Sequence, residues 1–353
     1  MVCRARQGNV VAVMSNSHHA RDVVIACKNS ISKMQSVADL LLLSNNNIRP
    51  VVIDSLTQLC DAYPQCSESI VTQMKGLLVL TSHIQGYLQN TTSKWDEICT
   101  CIQDITEVVV GLIELCSDAA YLCVLSKPSC LPLIPGIVDS YKVSRANLEI
   151  HLSCQQIEQL SYTELTPLLL VQLCYNINKN LAILTECCKQ ASDRTNDQYN
   201  EEQFKLCAKS FTACGSCVVS SIKSFKAQPS EATRQRCVKF CEALSASTDA
   251  LVGFATESQF GWKAGTITPQ AEEAKKAILG ASLNLMSACV QLMRVVKELS
   301  YDQQNVTYRE RLHQCISAIS QSSSQLSDTL RRYLSQQDRF HVGHLASPST
   351  APR

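Results

Sequence analysis

The sequence predicts an all-α protein, a five-helix bundle with a four-helix bundle inserted into it, on three observations. Apolar residues recur every three to four positions through nine separate segments, the spacing that gathers them on one helix face. Glycine and proline number only 11 and 10 in 353 residues, too few to punctuate a strand-rich or phosphate-cradling fold. Two proline-bearing breaks divide the nine segments into groups of three, four and two.

The first helix is expected from about Arg21 to Ser44, with Val24, Cys27, Ile31, Met34, Ala38 and Leu41 as its buried stripe. Residues 1–18 read as a disordered start, and the stretch from Pro50 to Pro64 as a loop or short helical turn. Ile70, Met74, Leu77, Ile84 and Leu88 mark a second helix. Trp95, Ile98, Ile102, Ile105, Val109, Leu112, Cys116, Ala119 and Leu122 mark a third of bundle length. Three prolines, Pro128, Pro132 and Pro135, then forbid a continuous helix.

Four helices follow, at about 137–159, 165–190, 200–227 and 230–258, joined by short polar turns suited to antiparallel neighbours. A second break, Gly261 to Pro269, ends in Thr268 as N-cap with Pro269 at the first helical position. Two last helices are expected at 269–300 and 304–338, and 341–353 reads as a disordered tail. Four antiparallel helices close a bundle alone, whereas three and two each keep an open apolar side. Residues 19–127 and 269–340 therefore combine into one discontinuous five-helix bundle, with 137–260 as the insert.

Composition excludes several function classes. The 32 Lys+Arg against 31 Asp+Glu leave net +1, with no overall field to steer a nucleic acid. The 20 cysteines lie at apolar positions of periodic segments without a staple-like spacing, and read as free thiols of a cytoplasmic chain. Residues 10–14 are too short an apolar run for a signal peptide, and no uninterrupted apolar stretch of about 18 residues marks a transmembrane segment. Dinucleotide, Walker, zincin and hydrolase-elbow motifs are absent. Cys99-Thr100-Cys101 and Cys187-Cys188 lack the matching second pair of a zinc site, and His83, His151 and His313 are scattered. No catalytic residue, metal or cofactor is expected. Ser320 to Ser324 sit mid-helix, where they either face solvent or loosen the bundle seam.

Several stretches together resemble the talin-rod family, in particular its short talin-rod-domain-containing relatives. They are Met34 to Ser44 (MQSVADLLLLS), Glu201 to Ala208 (EEQFKLCA), Leu251 to Glu257 (LVGFATE) and Ala277 to Cys289 (AILGASLNLMSAC). The similarity spans about residues 28–337. It implies a four-helix module inserted into a five-helix bundle, and a cytoplasmic homodimer that binds and bundles filamentous actin in the cytoskeleton of adhering and migrating cells. The alternative it implies is an adaptor whose bundles bind amphipathic helices of adhesion or signalling proteins.

With actin as the implied partner, the basic excess over residues 261–353 suits an acidic filament. Lys276 and Arg294 lie on the eighth helix away from its core stripe with Lys297 adjoining them, and Arg309 and Arg331 flank the core face of the ninth; the other reading is a solvated surface. Bundling by one actin face demands self-association. On the seventh helix Phe240, Ala243, Ser247, Ala250 and Phe254 form a second row beside the core stripe, either a homodimer face in the inserted module or a contact with a neighbouring helix. On the sixth, Lys205, Lys209, Lys223 and Lys226 flank an apolar stripe and suit an acidic, leucine-rich helical ligand.

Overall fold

The computed structural model describes the backbone of residues 2–43, 56–89, 94–127, 129–263 and 265–345, and the side chains of 20–41, 61–89, 94–127, 129–263 and 265–333. Among the described residues there are nine helices: α1 (Val2–Ala38), α2 (Leu56–Gln89), α3 (Trp95–Leu125), α4 (Ser140–Gln159), α5 (Pro167–Arg194), α6 (Gln198–Ala227), α7 (Glu231–Ala255), α8 (Pro269–Tyr301) and α9 (Val306–Leu345). The chain divides into two compact units. One holds α1, α2, α3, α8 and α9, from Met1–Leu43, Arg49–Leu131 and Thr266–Arg353; the other holds α4 to α7, within Pro132–Gly265.

Local chemistry sets the helix starts. Asp139 accepts from the Lys142 amide at 2.9 Å to open α4, and Asp197 from the Tyr199 amide at 2.9 Å to open α6. Ser230 and Thr233 form a reciprocal capping box at α7. Thr166 and Thr268 cap α5 and α8, each followed by a proline whose missing N–H would be an orphan at that position anyway. The Thr268 cap and Pro269 stand where the spacing placed them.

Three expectations are corrected. Residues 1–18 are not an irregular start: the backbone is helical from Val2, and no proline interrupts Val2 to Arg21. α1 ends as a π-helical turn, Asp39–Leu43. The stretch from Pro50 to Pro64, expected as a loop or short helical turn, is from Leu56 the first part of a long helix, with Pro64 inside α2, while residues 44–55 lie outside the described residues. As the ninth residue of α2, Pro64 removes one internal backbone bond, and the neighbouring Tyr63 is buried, 1% exposed. The expected tail at 341–353 is helical through Leu345, and 346–353 lie outside the described residues.

In the five-helix unit, α1 runs parallel to α3, shown by Ser30 to Thr106 (2.6 Å) and Lys33 to Glu107 (2.7 Å). The α2 and α9 helices run antiparallel, through Tyr63 to the Leu330 carbonyl (3.1 Å) and Gln85 to His313 (3.0 Å). The central helices α3 and α8 bury Ile98, Ile102, Ile105, Leu112, Ile278, Leu285, Leu292 and Val296. Both are long and apolar enough to cross a membrane, but half or more of that apolar window is buried inside the bundle. Their composition is that of core helices. The serine run of α9 is split: Ser323 is buried, Ser320 and Ser324 are exposed.

In the inserted unit, α4 to α7 run antiparallel in sequence around Ile150, Ile157, Leu173, Ile177, Leu184, Phe211, Val218 and Leu244. Arg234 at the start of α7 donates to the carbonyls of Ile157 (3.4 Å), Glu158 (3.2 Å) and Leu160 (3.4 Å), satisfying the orphan end of α4. The unit's two chain ends are zipped together by an antiparallel bridge between Ile134 and Lys263 and by the Val138 amide on the Phe260 carbonyl at 3.1 Å. Gly136 makes this approach possible, because a Cβ there would meet the Phe260 oxygen at 2.3 Å and Gly261 backbone at 2.4 Å.

Candidate functional surfaces

No group of three or more His, Cys, Asp or Glu that could hold a metal occurs among the described residues, and all described cysteines are free. Burial pushes the thiols of Cys27, Cys116, Cys188 and Cys289 up to about 12. A thiol that far above neutrality is neither nucleophile nor ready metal ligand.

On α8 the exposed row Lys276, Gly280, Asn284, Ser287, Gln291 and Arg294 faces away from the core. The two cations are about 27 Å apart at 1.5 Å per residue. Arg294 has no ion-pair partner among the described residues, whereas Lys276 meets Glu272 at 3.8 Å. Lys297 departs from this row: it is half-buried and lies close enough to the Cys27 thiol of α1 to act on it electrostatically. Arg309 is committed to the α8–α9 turn, its Nε donating to the Gln303 carbonyl at 2.9 Å. Arg331 is exposed and pairs with Asp328 at 3.4 Å. The contact of Arg311 with Glu298 (2.6 Å) fixes the antiparallel register, which puts Arg331 level with Lys276 at one end and Arg309 level with Lys297 at the other.

The α7 row turns toward α6. Ser247 hydrogen-bonds Ser210 at 2.8 Å, and Phe254 is drawn into an aromatic cluster of its own unit, 4.8 Å from Phe204 and 5.0 Å from Phe260. Phe254 is thus occupied at home, because the linker residue Phe260 folds back on it. Phe240 remains half-exposed, and Ala243 and Ala250 are exposed. Across the seam α6 contributes Leu206, 52% exposed, Ala213 and the exposed Cys217. The Ser210–Ser247 register sets Cys217 level with Phe240. The α6 half of this face, Leu206, Ser210, Ala213 and Cys217, was not singled out from the sequence.

Lys205, Lys223 and Lys226 sit on the flank toward α5, as the close approach of Leu181 to Gly215 defines it, and Lys209 stands on the outward crest beside Ala213. They do not act as one group. Lys205 is tied to Glu201 (2.5 Å) and Glu202 (3.2 Å). Lys209 borders a shallow surface depression of about 450 Å³ with Ala208, Thr212, Ala213 and Ser216. Lys223 and Lys226 lie about 20 Å further along, beside the start of α5.

Residues 138–258, the α4 to α7 unit, match the family described as the talin IBS2B domain. The chain is 27% identical to talin of Oscarella pearsei over 306 residues, 87% of this chain and 11% of that protein. It is 26% identical to talin-1 of Gallus gallus over 275 residues, 78% of this chain and 10% of that one. With talin-2 of Mus musculus it shares 23% over 275 residues, again 78% of this chain and 11% of the relative. The chain spans about a tenth of the length of the curated relatives it matches.

Proposed function

We propose that this talin-related chain, built of talin-rod-like helical bundles, is a non-enzymatic protein of the cytoplasmic actin cytoskeleton that binds filaments and bundles them as a homodimer. The observation that carries the filament reading is the outward α8 row ending in Lys276 and Arg294, with Arg331 level with Lys276. It is a long, rigid edge with a cation at each end, Arg294 without an ion-pair partner among the described residues, suited to an acidic filament. The observation that carries the dimer is the α6–α7 face. Leu206, Ser210, Ala213, Cys217, Phe240, Ala243, Ser247 and Ala250 make an uncharged stretch of surface bounded by Arg236 one turn before Phe240 and Glu202 one turn before Leu206. Its small residues admit a partner helix closely while Phe240 and Leu206 serve as anchors.

Co-sedimentation with filamentous actin tests this reading. The Lys276→Glu/Arg294→Glu variant is expected to leave the pellet while keeping its helical content, and Lys297→Glu alone to matter less because that side chain is turned toward α1. Unchanged pelleting of the double variant removes the α8 edge from consideration. A second reading, an adaptor for acidic leucine-rich helices, draws on the depression beside Lys209. Titration of such a peptide, followed by NMR shifts around Ala208 to Ser216, tests it.

A further inference from the structure

The charge distribution of the inserted unit leaves one surface unused by these readings. From Pro167 to Thr185 on α5 and from Gln203 to Ala227 on α6 there is no Asp or Glu, while five lysines occur: Lys179, Lys205, Lys209, Lys223 and Lys226. At the α5 start this basic flank meets an apolar stripe. Leu168 is 79%, Val171 56% and Tyr175 66% exposed, at positions i, i+3 and i+7, so they form one row on one side of the helix. The Leu181–Gly215 contact sets the register of the antiparallel pair, and it brings Lys223 and Lys226 level with Tyr175 and Val171. Neither lysine has an ion-pair partner among the described residues. Tyr162, 44% exposed, stands in the α4–α5 turn at the same end.

The form of this patch says what fits it. A ligand helix seats its apolar face in a groove whose floor is apolar. Here Leu181 packs against Gly215 in the α5–α6 seam about 9 Å along from Tyr175, and the apolar groups stand on the crest of α5, exposed to solvent. Protruding Leu and Val flanked by Tyr and ringed by unpaired Lys match the interfacial anchors of peripheral membrane proteins. There the apolar tips enter the headgroup boundary and the ammonium groups meet anionic lipid. We infer that the α5 start and α6 end form a docking surface for an anionic lipid bilayer, inserting Leu168, Val171 and Tyr175 and neutralising lipid charge with Lys179, Lys223 and Lys226. The site is separate from the α8 edge and the α6–α7 face, and gives a filament-binding protein a second attachment.

The experiment is flotation of the full chain with vesicles of phosphatidylcholine alone and of phosphatidylcholine with phosphatidylserine. Binding is expected only with the anionic lipid, and is expected to weaken as salt is raised. Lys223→Glu/Lys226→Glu and, separately, Leu168→Ser/Tyr175→Ser should each lower vesicle binding by about tenfold or more. All four positions are exposed, so circular dichroism should be unchanged. Absence of binding to anionic vesicles, or equal binding by both variants, overturns the inference. So does binding of an acidic helical peptide to these residues by a chain that ignores vesicles. Actin pelleting of the same variants is expected to be intact, so loss of the filament reading and loss of this one are read separately.

Discussion

The Tyr63 hydroxyl donates a hydrogen bond at 3.1 Å to the carbonyl oxygen of Leu330, residues 267 positions apart. It ties the start of α2 to the last part of α9, across the whole insertion. Burial holds the phenol well above its ordinary range, so it remains a donor at any ordinary pH. Tyr63→Phe keeps the ring and removes the bond, and is expected to cost about 1 kcal/mol in urea unfolding. Tyr63→Ala also empties a fully buried site and is expected to cost about 3 to 5 kcal/mol. Equal stability of Tyr63→Phe and the parent would show that the bond contributes nothing net.

High pH should unfold the protein through its thiols. Cys27, Cys116, Cys188 and Cys289 are 0 to 3% exposed and are raised from 9.0 to about 12, chiefly by desolvation. Above pH 9 the unfolded chain releases protons that the folded chain retains, so stability is full below pH 9 and is lost as pH rises toward 12. Each thiol contributes a slope of about 1.4 kcal/mol per pH unit in that window. Urea midpoints measured from pH 7 to 11 should fall only above 9, and Cys289→Ala should lessen the slope by about one proton. An unaltered slope would contradict this.

Gly136 governs the closure of the inserted unit. Backbone atoms of Phe260 and Gly261 occupy the space a Cβ needs, and backbone cannot step aside as a side-chain tip can. Gly136→Ala should destabilise that unit by about 1 to 3 kcal/mol, read as loss of amide protection at Ile134, Val138 and Lys263. Full protection at those amides would show that the linker relaxes freely.

Cys217 reports on the proposed dimer. It is the one exposed cysteine among the described residues, level with Phe240 across the α6–α7 seam. Maleimide should label it slowly in the parent protein and fast in Phe240→Asp, which buries a carboxylate in any symmetric contact of this face. Light scattering should show that variant monomeric. If it is still dimeric, the contact is elsewhere; if it is unfolded, Phe240→Ser with the same labelling decides between a core and a surface role.

Helix identity was legible because burial repeats every three to four residues, and Thr268-Pro269 or Ser230 announce starts chemically. Pro64 misled because proline usually ends a helix, whereas here it lies inside α2 beside the buried Tyr63, whose tertiary contact no local pattern carries. The surfaces were read less fully. A periodicity gives the core face of each helix but not which flank a neighbour covers. The row from Phe240 to Phe254 could not reveal that Phe260 returns from the linker to claim Phe254. Leu206, Cys217 and the Leu168, Val171 and Tyr175 crest are ordinary helical apolar residues until the packing leaves them outside.

The discontinuity of the five-helix unit sets an order of events during synthesis. The α1, α2 and α3 helices leave the ribosome first, yet their open apolar side can close only when α8 and α9 arrive, after the roughly 130 residues of Pro132–Gly265. With the roughly 80 further residues through Leu345 that carry α8 and α9, at about 5 to 20 residues per second the wait lasts roughly 11 to 43 seconds. The insert can finish folding meanwhile, since its ends meet at Ile134 and Lys263. A half-made bundle with an uncovered α3 is therefore an obligatory nascent species, and the chain's yield in cells should depend on chaperones that hold it.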